Sequence, residues 1–305
     1  MSYALVRATV LELAVLAGHL LVYPSGMTPE RRASAARPGP GTRTDPAPDA
    51  PTGAGGNTPN TPLATARGTT APTARSTRSA DAAALPTDPL GGAGDRPPVV
   101  LLHGFIDNRS VFVLLRRYLS RHGWHHLESL NYSPLTCDVR TAAELLARHV
   151  EEICDRTRHH EIDIVGHSLG GLIARYYVQC LGGDRRVRTL VTLGTPHGGT
   201  AVAPLAAALP IVRQMRAGSD LIEELRRPAP GCSTRFVSFW SDLDRVMVPV
   251  GAARVDHPDL DAVNVRVTGI GHLALPVHPA VAAAIRQALE SDGGVIDAPG
   301  AASVA

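Results

Sequence analysis

The chain has 305 residues, which is long enough for one substantial domain or two small ones. Its formal net charge of +2 at pH 7 gives no sign of a nucleic-acid partner or of a strongly acidic one. The 29 glycines and 25 prolines are unevenly distributed along the chain. This distribution predicts a disordered part beside a folded part.

The first 25 residues form a mostly apolar segment that resembles a signal peptide or a membrane anchor. Glu12 and His19 interrupt the apolar stretch from Ala4 to Tyr23, and charge near the centre of a membrane is costly. A soluble amphipathic helix is therefore the alternative. With the first interpretation we expect a secreted or membrane-anchored extracellular protein that associates with the membrane through this segment.

The next part of the chain, residues 26–96, is rich in Pro, Ala, Gly, Thr, Ser and Arg and has almost no large apolar residues. Such a composition cannot bury enough surface to offset the entropy that ordering costs, so we predict a disordered linker. The folded, catalytic domain is expected at 97–291, and a flexible tail at 292–305.

Within the folded part, short apolar segments of strand length alternate with segments of helical periodicity. The strands are predicted at Val99–Leu102, His126–Leu130, Ile162–Val165, Val187–Leu193, Phe236–Trp240 and Val263–Thr268. The helices are predicted at Arg109–His122 (with Val113, Leu114, Leu115 and Leu119 on one side), Thr141–Thr157, Leu169–Leu181 and His278–Leu289. This alternation predicts a compact α/β domain, with a mainly parallel sheet of about six strands and helices on both faces.

The sequence Gly166-His167-Ser168-Leu169-Gly170 matches the pattern G-x-S-x-G. The predicted strand ending at Val165 precedes it, and a predicted helix follows it. In this setting the serine lies on a sharp turn between strand and helix, where its hydroxyl is exposed to react. A Cβ atom at either flanking glycine would collide with the closely approaching backbone. The motif therefore predicts Ser168 as a nucleophile.

A serine hydroxyl needs a general base, and in this arrangement the histidine follows the serine in the chain. His272 lies in Gly269-Ile270-Gly271-His272, directly after the last predicted strand, and is the predicted base. His257 precedes that strand and His278 begins a helix, so both are interpreted as surface residues. His197, in a Gly/Pro loop, is interpreted as structural support near the cleft.

The acid that orients the base is expected in the loop after Phe236–Trp240, where Asp242 and Asp244 are the candidates. Asp244 is preferred, because the apolar residues of 246–249 can anchor its part of the loop against the core. Asp242 lies closer to the strand end, and the alternative for it is to cap the loop through backbone hydrogen bonds.

A serine nucleophile also needs backbone N–H groups that stabilise the negative charge of the intermediate. Leu169, immediately after Ser168, is one predicted donor of this oxyanion hole. Phe105, which follows Gly104 in the loop after the first strand, is the other. His103 precedes them, and we interpret it as a residue that braces the loop.

These motifs resemble those of bacterial lipases and esterases of the α/β-hydrolase superfamily, particularly the small lipases of Bacillus and actinobacteria. The resemblance covers about Pro97–Leu289. It rests on the segments at 103–105, 166–171, 195–200, 241–249 and 269–272. It implies a compact α/β-hydrolase fold, a triad of Ser168, Asp244 and His272, and hydrolysis of fatty acyl esters through an acyl-enzyme. The same triad would serve an acyltransferase or a thioesterase, and a non-catalytic binding protein with this fold is a further alternative.

The remaining expectations concern partners and cross-links. The resemblance implies that no cofactor is needed, and we expect a monomer that binds an acyl ester or lipid and no nucleic acid. The four cysteines, at 137, 154, 180 and 232, form no C-x-x-C pair, so no metal site is predicted. In an exported protein Cys137 and Cys154 could form a disulfide, and Cys180 and Cys232 could pair or stay free. Buried free thiols are the alternative. The apolar stretch from Thr200 to Leu225, which includes Val202 and Leu205, is interpreted either as the lining of an acyl pocket or as an ordinary buried helix.

Overall fold

A computed structural model of the chain describes residues 96–105, 107–133, 137–201 and 209–291. The predicted N-terminal segment, the predicted linker up to residue 95 and the predicted C-terminal tail lie outside the described residues, and so do Val202 and Leu205. No helix in the described part of the chain is long and apolar enough to cross a membrane.

Six parallel strands form one sheet, in the order β2-β1-β3-β4-β5-β6. The strands are β1 (Val99–Leu102), β2 (Leu127–Leu130), β3 (Ile162–His167), β4 (Val187–Leu193), β5 (Arg235–Ser241) and β6 (Asp261–Val267). The predicted fold class is thus confirmed. The order places β3, the strand that leads to Ser168, near the middle of the sheet.

Six α-helices accompany the strands in the described residues. They are α1 (Val113–Arg121), α2 (Val139–Thr157), α3 (Leu169–Cys180), α4 (Pro210–Gln214), α5 (Asp220–Glu224) and α6 (Pro279–Glu290). Only the two short helices α4 and α5 lie between β4 and β5 in the described residues. Ile211 and Val212 of α4 are buried against the core, which agrees with the interpretation of this part as ordinary buried helix.

The sheet separates two apolar cores, because successive side chains of a strand point to opposite faces. In β1, Val100 and Leu102 pack in the core that contains α2 and α3. Val99 and Leu101 pack in the core that contains α1 and α6. Every residue of β1 and β3 is buried, as expected for parallel strands that helices cover on both faces.

The prediction that four apolar residues of the first helix share one side is wrong. Leu115 and Leu119 are buried, whereas Val113 is 46% exposed and Leu114 is 53% exposed. Successive residues of an α-helix are rotated by about 100°, so a continuous apolar segment cannot face one core. The predicted start was also early, since Arg109–Phe112 forms a 3-10 turn before α1.

The last strand begins two residues earlier than predicted, at Asp261, and ends at Val267. As the edge strand it pairs only with β5. Its residues alternate in exposure, with Val265 and Val267 buried and Arg266 exposed. The polar residues of an edge strand hide its start from a search for apolar segments.

The four cysteines are all free thiols, so Cys137 and Cys154 do not form the disulfide that the sequence left open. Burial raises the pKa of all four thiols. Each is therefore protonated at neutral pH and is a weak nucleophile.

A buried ion pair joins the starts of two central strands. The guanidinium of Arg188 contacts the carboxylate of Asp163 at 3.1 and 2.7 Å, and its Nη2 also donates to the Leu289 carbonyl at 2.7 Å. The Asp163 side chain is fully buried. Burial outweighs the Arg188 charge and raises the pKa of Asp163 from 3.8 to about 6. The pair thus links β3, β4 and the end of α6.

Replacing Arg188 by Met should lower the free energy of unfolding by about 3–5 kcal/mol at pH 7.5, because it leaves a buried carboxylate without its cation. Burial raises the pKa of Asp163 above its unfolded value, so its carboxyl favours folding below pH 3.8 and loses that contribution as pH rises through about 6. The effect of Arg188→Met should therefore be smaller at pH 5. Urea denaturation at the two pH values measures both effects.

The matched control is Arg186→Met, since Arg186 pairs with Glu151 at 2.7 Å on the surface. Loss of an exposed pair should cost less than about 1 kcal/mol. Equal losses in the two variants would contradict the importance of the buried pair.

Candidate active site

Ser168 lies on the turn between β3 and α3 in an unusual backbone conformation. Its φ is +52° and its ψ is −117°, a region that residues other than glycine rarely adopt. The Ser168 N–H donates to the Leu193 carbonyl at 2.8 Å, and its carbonyl accepts from the Thr195 hydroxyl at 3.0 Å. These bonds hold the turn against the end of β4. The arrangement is the strained strand-to-helix elbow that G-x-S-x-G predicts.

The glycines of the motif allow the elbow to pack closely. A Cβ atom on Gly170 would lie 2.3 Å from the Leu102 carbonyl oxygen. A Cβ atom on Gly166 would lie 2.5 Å from the Cα atom of Gly171. Both clashes involve backbone, so neither position accepts a side chain, as the sequence predicts.

His272 and Asp244 form a buried pair. His272 Nδ1 lies 2.7 Å from Asp244 Oδ2, and their side chains are 4% and 1% exposed. Asp244 Oδ1 accepts the N–H groups of Val246 and Met247, both at 2.9 Å. In the tautomer that carries its proton on Nδ1, His272 donates to Oδ2 while Oδ1 accepts both amides, so the carboxylate accepts in all three contacts. This leaves His272 Nε2 as the basic nitrogen.

Asp242 takes neither of the roles that the sequence left open for it. It pairs with Arg266 at 2.9 Å near the surface. Asp244, the third residue after β5, instead accepts the loop N–H groups of Val246 and Met247. The Ser241 hydroxyl also donates to the Ile270 carbonyl, which ties the loop of Asp244 to the loop of His272.

The His272 side chain lies beside the elbow. The ring centroids of His272 and of His167, the residue before Ser168, are 4.9 Å apart. The Ser168 hydroxyl makes no hydrogen bond to any residue that the structure describes. Contacts between a catalytic serine and histidine commonly shorten only in the substrate complex. The structure thus brings His272 and Asp244 to the neighbourhood of Ser168 without a direct serine–histidine bond.

The two predicted oxyanion donors lie on either side of the elbow. Leu169 is the first residue of α3, and Phe105 follows Gly104 in the loop after β1. A Cβ atom on Gly104 would lie 3.3 Å from Ser168 Cβ, so this loop lies directly against the serine. Neither the Leu169 nor the Phe105 N–H donates to a residue within the described ranges.

His103 braces the loop that carries Phe105. Its ring stacks on Tyr132, with centroids 4.3 Å apart, and its Nδ1 lies 2.9 Å from the Gly104 carbonyl. The Tyr132 hydroxyl donates to the His103 carbonyl. Burial lowers the pKa of His103, which keeps the ring neutral. These contacts agree with the bracing role that the sequence indicates.

His197 is buried. Its Nε2 lies 3.0 Å from the Thr192 hydroxyl, and burial together with the Arg175 charge lowers its pKa well below the ordinary value. Arg175 of α3 is itself buried, and its guanidinium donates to the His197 carbonyl, the Leu225 carbonyl and the Gln179 side chain. His197 thus has structural contacts.

The interpretation of His257 as a surface residue is wrong. It is 8% exposed, and its Nε2 lies 2.9 Å from the Arg227 carbonyl. The sequence places it before the last strand but does not show that the segment after α5 packs over it. His278 is half-buried and caps α6 by accepting the Ala280 N–H at 3.3 Å.

One pair of site residues was missed by the sequence analysis. His167 Nδ1 lies 2.9 Å from Asp107 Oδ2, and its Nε2 lies 3.2 Å from the His272 carbonyl. Both side chains are 1% exposed. His167 occupies the variable position before Ser168, and Asp107 follows Phe105 by two residues. Their positions within the two catalytic motifs are the only signal that could have identified them.

In the described residues, no group of three His, Cys, Asp or Glu side chains could hold a metal ion. An open depression of about 790 Å³ lies between α2 and the residues that precede β4. None of the candidate catalytic side chains lines this depression, so it does not belong to the site.

A parallel sheet, a serine on a strained turn after a central strand, and an aspartate–histidine pair after later strands together define the α/β-hydrolase fold. Solved structures agree with this fold. Aspergillus fumigatus lipase B superposes with a TM-score of 0.58 at 18% identity, over 65% of this chain and 53% of that one. The propeptide form of Bacillus licheniformis lipase BlEst2 superposes with a TM-score of 0.52 at 16% identity, over 66% of this chain and 52% of that one.

Sequence comparisons identify similar proteins. Residues 98–244 match the model of the palmitoyl protein thioesterase family. A triacylglycerol lipase of Burkholderia plantarii is 29% identical over 135 residues, which are 42% of this chain and 36% of the relative. The chain thus matches little more than a third of that relative's length. The chain thus has the α/β-hydrolase fold, and its sequence is similar to the thioesterase family and to a lipase.

Proposed function

We propose that the protein hydrolyses carboxylic esters of fatty acids, with Ser168 as nucleophile, His272 as general base and Asp244 as the acid that orients it. The observation that carries the proposal is the 2.7 Å contact between His272 Nδ1 and Asp244 Oδ2 beside the strained elbow. A buried histidine whose Nδ1 is bound to a carboxylate presents a basic Nε2. That nitrogen is what a neighbouring serine hydroxyl requires.

The proposed reaction has two halves. Ser168 Oγ attacks the ester carbonyl while His272 Nε2 takes its proton, and the Asp244 carboxylate stabilises the imidazolium that forms. The proton then passes to the departing alkoxide, which leaves an acyl group on Ser168. Water, deprotonated by His272, attacks this acyl-enzyme and releases the acid.

The negative charge of each tetrahedral intermediate needs donors that are already in place. The Leu169 and Phe105 amides make no competing bond within the described residues, and they flank the serine. Removing one such donor typically costs about 10²–10³ in kcat. We therefore assign both amides to the oxyanion hole.

The first prediction concerns the nucleophile. Ser168→Ala should reduce hydrolysis of p-nitrophenyl esters by about 10⁶-fold, because no other group can form the acyl-enzyme. A fluorophosphonate probe should label the wild-type protein and not the variant, which also separates an enzyme from a non-catalytic binding protein. The control is Ser120→Ala, at an exposed position of α1. Equal labelling of Ser168→Ala would contradict the proposal.

The second prediction distinguishes the two candidate acids. Asp244→Asn should lower kcat by about 10⁴-fold, because an amide no longer selects the tautomer in which His272 Nε2 is basic. Asp242→Asn removes only the surface pair with Arg266 and should change kcat by less than about twofold. Steady-state kinetics on a p-nitrophenyl ester measures both values. The opposite result would make Asp242 the acid.

Thioester hydrolysis is the second candidate function, and the match to the palmitoyl protein thioesterase family favours it. An oxygen ester and a thioester with the same acyl group give the same acyl-enzyme, so they differ only in its formation. The alkoxide leaving group needs a proton from His272 far more than a thiolate does.

With that general acid in place, ethyl palmitate should have a kcat/KM at least equal to that of its S-ethyl thioester. Release of palmitate measures both reactions. A kcat/KM clearly higher for the thioester would make thioester hydrolysis the main activity. Addition of glycerol, with detection of new esters, tests the acyltransferase alternative.

A further inference from the structure

A second aspartate–histidine pair lies beside the one that the proposed reaction uses. It joins three segments of the site through one imidazole. Asp107 belongs to the loop after β1, His167 ends β3, and the carbonyl that His167 contacts belongs to His272, after β6. These segments carry the oxyanion donor Phe105, the nucleophile and the base. The pair therefore touches each part of the catalytic machinery without entering the proposed reaction.

The contacts of His167 determine how many protons the pair holds. The His272 carbonyl is only an acceptor, so the nitrogen 3.2 Å from it, Nε2, carries a proton. The contact of 2.9 Å between Nδ1 and Asp107 Oδ2 needs a second proton between the two atoms. An imidazole is ordinarily more basic than a carboxylate, so this proton is placed on Nδ1. The pair is then an imidazolium with a carboxylate and has no net charge.

The hydrogen bonds of the His272 ring differ from those of the His167 ring. In the His272 ring, Nδ1 donates to Asp244, and Nε2 makes no hydrogen bond to the described residues. One imidazole thus keeps a basic nitrogen, while its neighbour, with its centroid 4.9 Å away, has both nitrogens engaged as donors. The difference in partners gives the two histidines different chemistry.

The surroundings of the pair favour the doubly protonated form. The titratable groups that face it are His103 from the loop after β1, Tyr132, and His272 with its partner Asp244. Burial and then the Asp107 charge raise the pKa of Tyr132, so this phenol stays neutral. Burial lowers the pKa of His103, so this ring adds no positive charge that would oppose protonation of His167. Asp107 and His167 are 1% exposed, and a carboxylate so deeply buried is costly without a cation.

We propose that Asp107 and His167 are positioning residues of the site. They form a buried pair that holds two protons, and this pair fixes the positions of the His272 backbone and of the Phe105 loop relative to Ser168. The proposal rests on the proposed function for its kinetic consequence. Its protonation state is independent of that function. His167 acts through His272 and is not itself a base, because its Nε2 already donates to the carbonyl.

The protonation state is tested by NMR of the wild-type protein labelled with 15N-histidine, and His167→Gln identifies the resonances of His167. At pH 8 both ring nitrogens of His167 should have the shifts of protonated nitrogens. In Asp107→Asn, which removes the charge that retains the second proton, one nitrogen should become unprotonated. An unprotonated ring nitrogen on His167 in the wild-type protein at pH 8 would overturn the proposal.

The positioning role is tested by kinetics on p-nitrophenyl butyrate, with active sites counted by fluorophosphonate titration. His167→Gln and Asp107→Asn should each lower kcat per titrated site about 10- to 100-fold, as expected for a shift of about 1 Å in a catalytic group. KM should stay within twofold. A merely structural role would lower the number of titrated sites and leave kcat per site unchanged, and that result would refute the proposal.

The matched control is His149→Gln. His149 also lies near a carboxylate, 3.4 Å from Glu128, but its contacts are not with the site. The kcat of this variant should be unchanged.

If either site variant does not fold, the other still provides the kinetic measurement. If the wild-type protein neither hydrolyses esters nor binds the probe, the proposed function fails, and the NMR measurement still decides the protonation of His167.

Discussion

The structure depends on a serine held in a backbone conformation that L-amino acids avoid. Ser168 has a φ of +52°, and such strain persists only where the surroundings over-determine it. Here the surroundings are β3 on one side, α3 on the other, and hydrogen bonds to the end of β4. Gly166 and Gly170 permit the close contacts that hold it. The turn places the hydroxyl at the carboxyl end of the sheet, where the other site residues also lie.

Parallel strands explain why distant residues meet there. Ser168 follows β3, Asp244 follows β5 and His272 follows β6, so each lies at the same edge of the sheet. Neighbouring strands are about 4.8 Å apart, so the loops after β5 and β6 lie side by side. β4 and β5 separate β6 from β3, and the loop of His272 extends back across them to contact His167, the residue before Ser168. Two histidines and two aspartates lie side by side there. In the proposed mechanism, the other hydrogen-bond partners of each histidine decide which imidazole stays basic.

Local patterns in the sequence predicted most of this. Apolar segments of strand length located all six strands, and G-x-S-x-G located the elbow, because both signals are contained in a few consecutive residues. The patterns failed where exposure depends on the rotation of residues around a helix or on packing by distant segments. Leu114 is exposed although its neighbour Leu115 is buried, and His257 is buried by a segment far from it in the chain. Asp107 and His167 are 60 residues apart, and only the fold shows that they touch.

The contacts of the Arg175 guanidinium determine which part of the β4–β5 connection can vary in sequence. It fastens two points of the β4–β5 connection, at His197 and Leu225, to the helix that follows Ser168. An anchored connection can vary in length and composition without altering the geometry of the elbow. Sequence changes between these two contacts can therefore accumulate while the turn at Ser168 keeps its geometry.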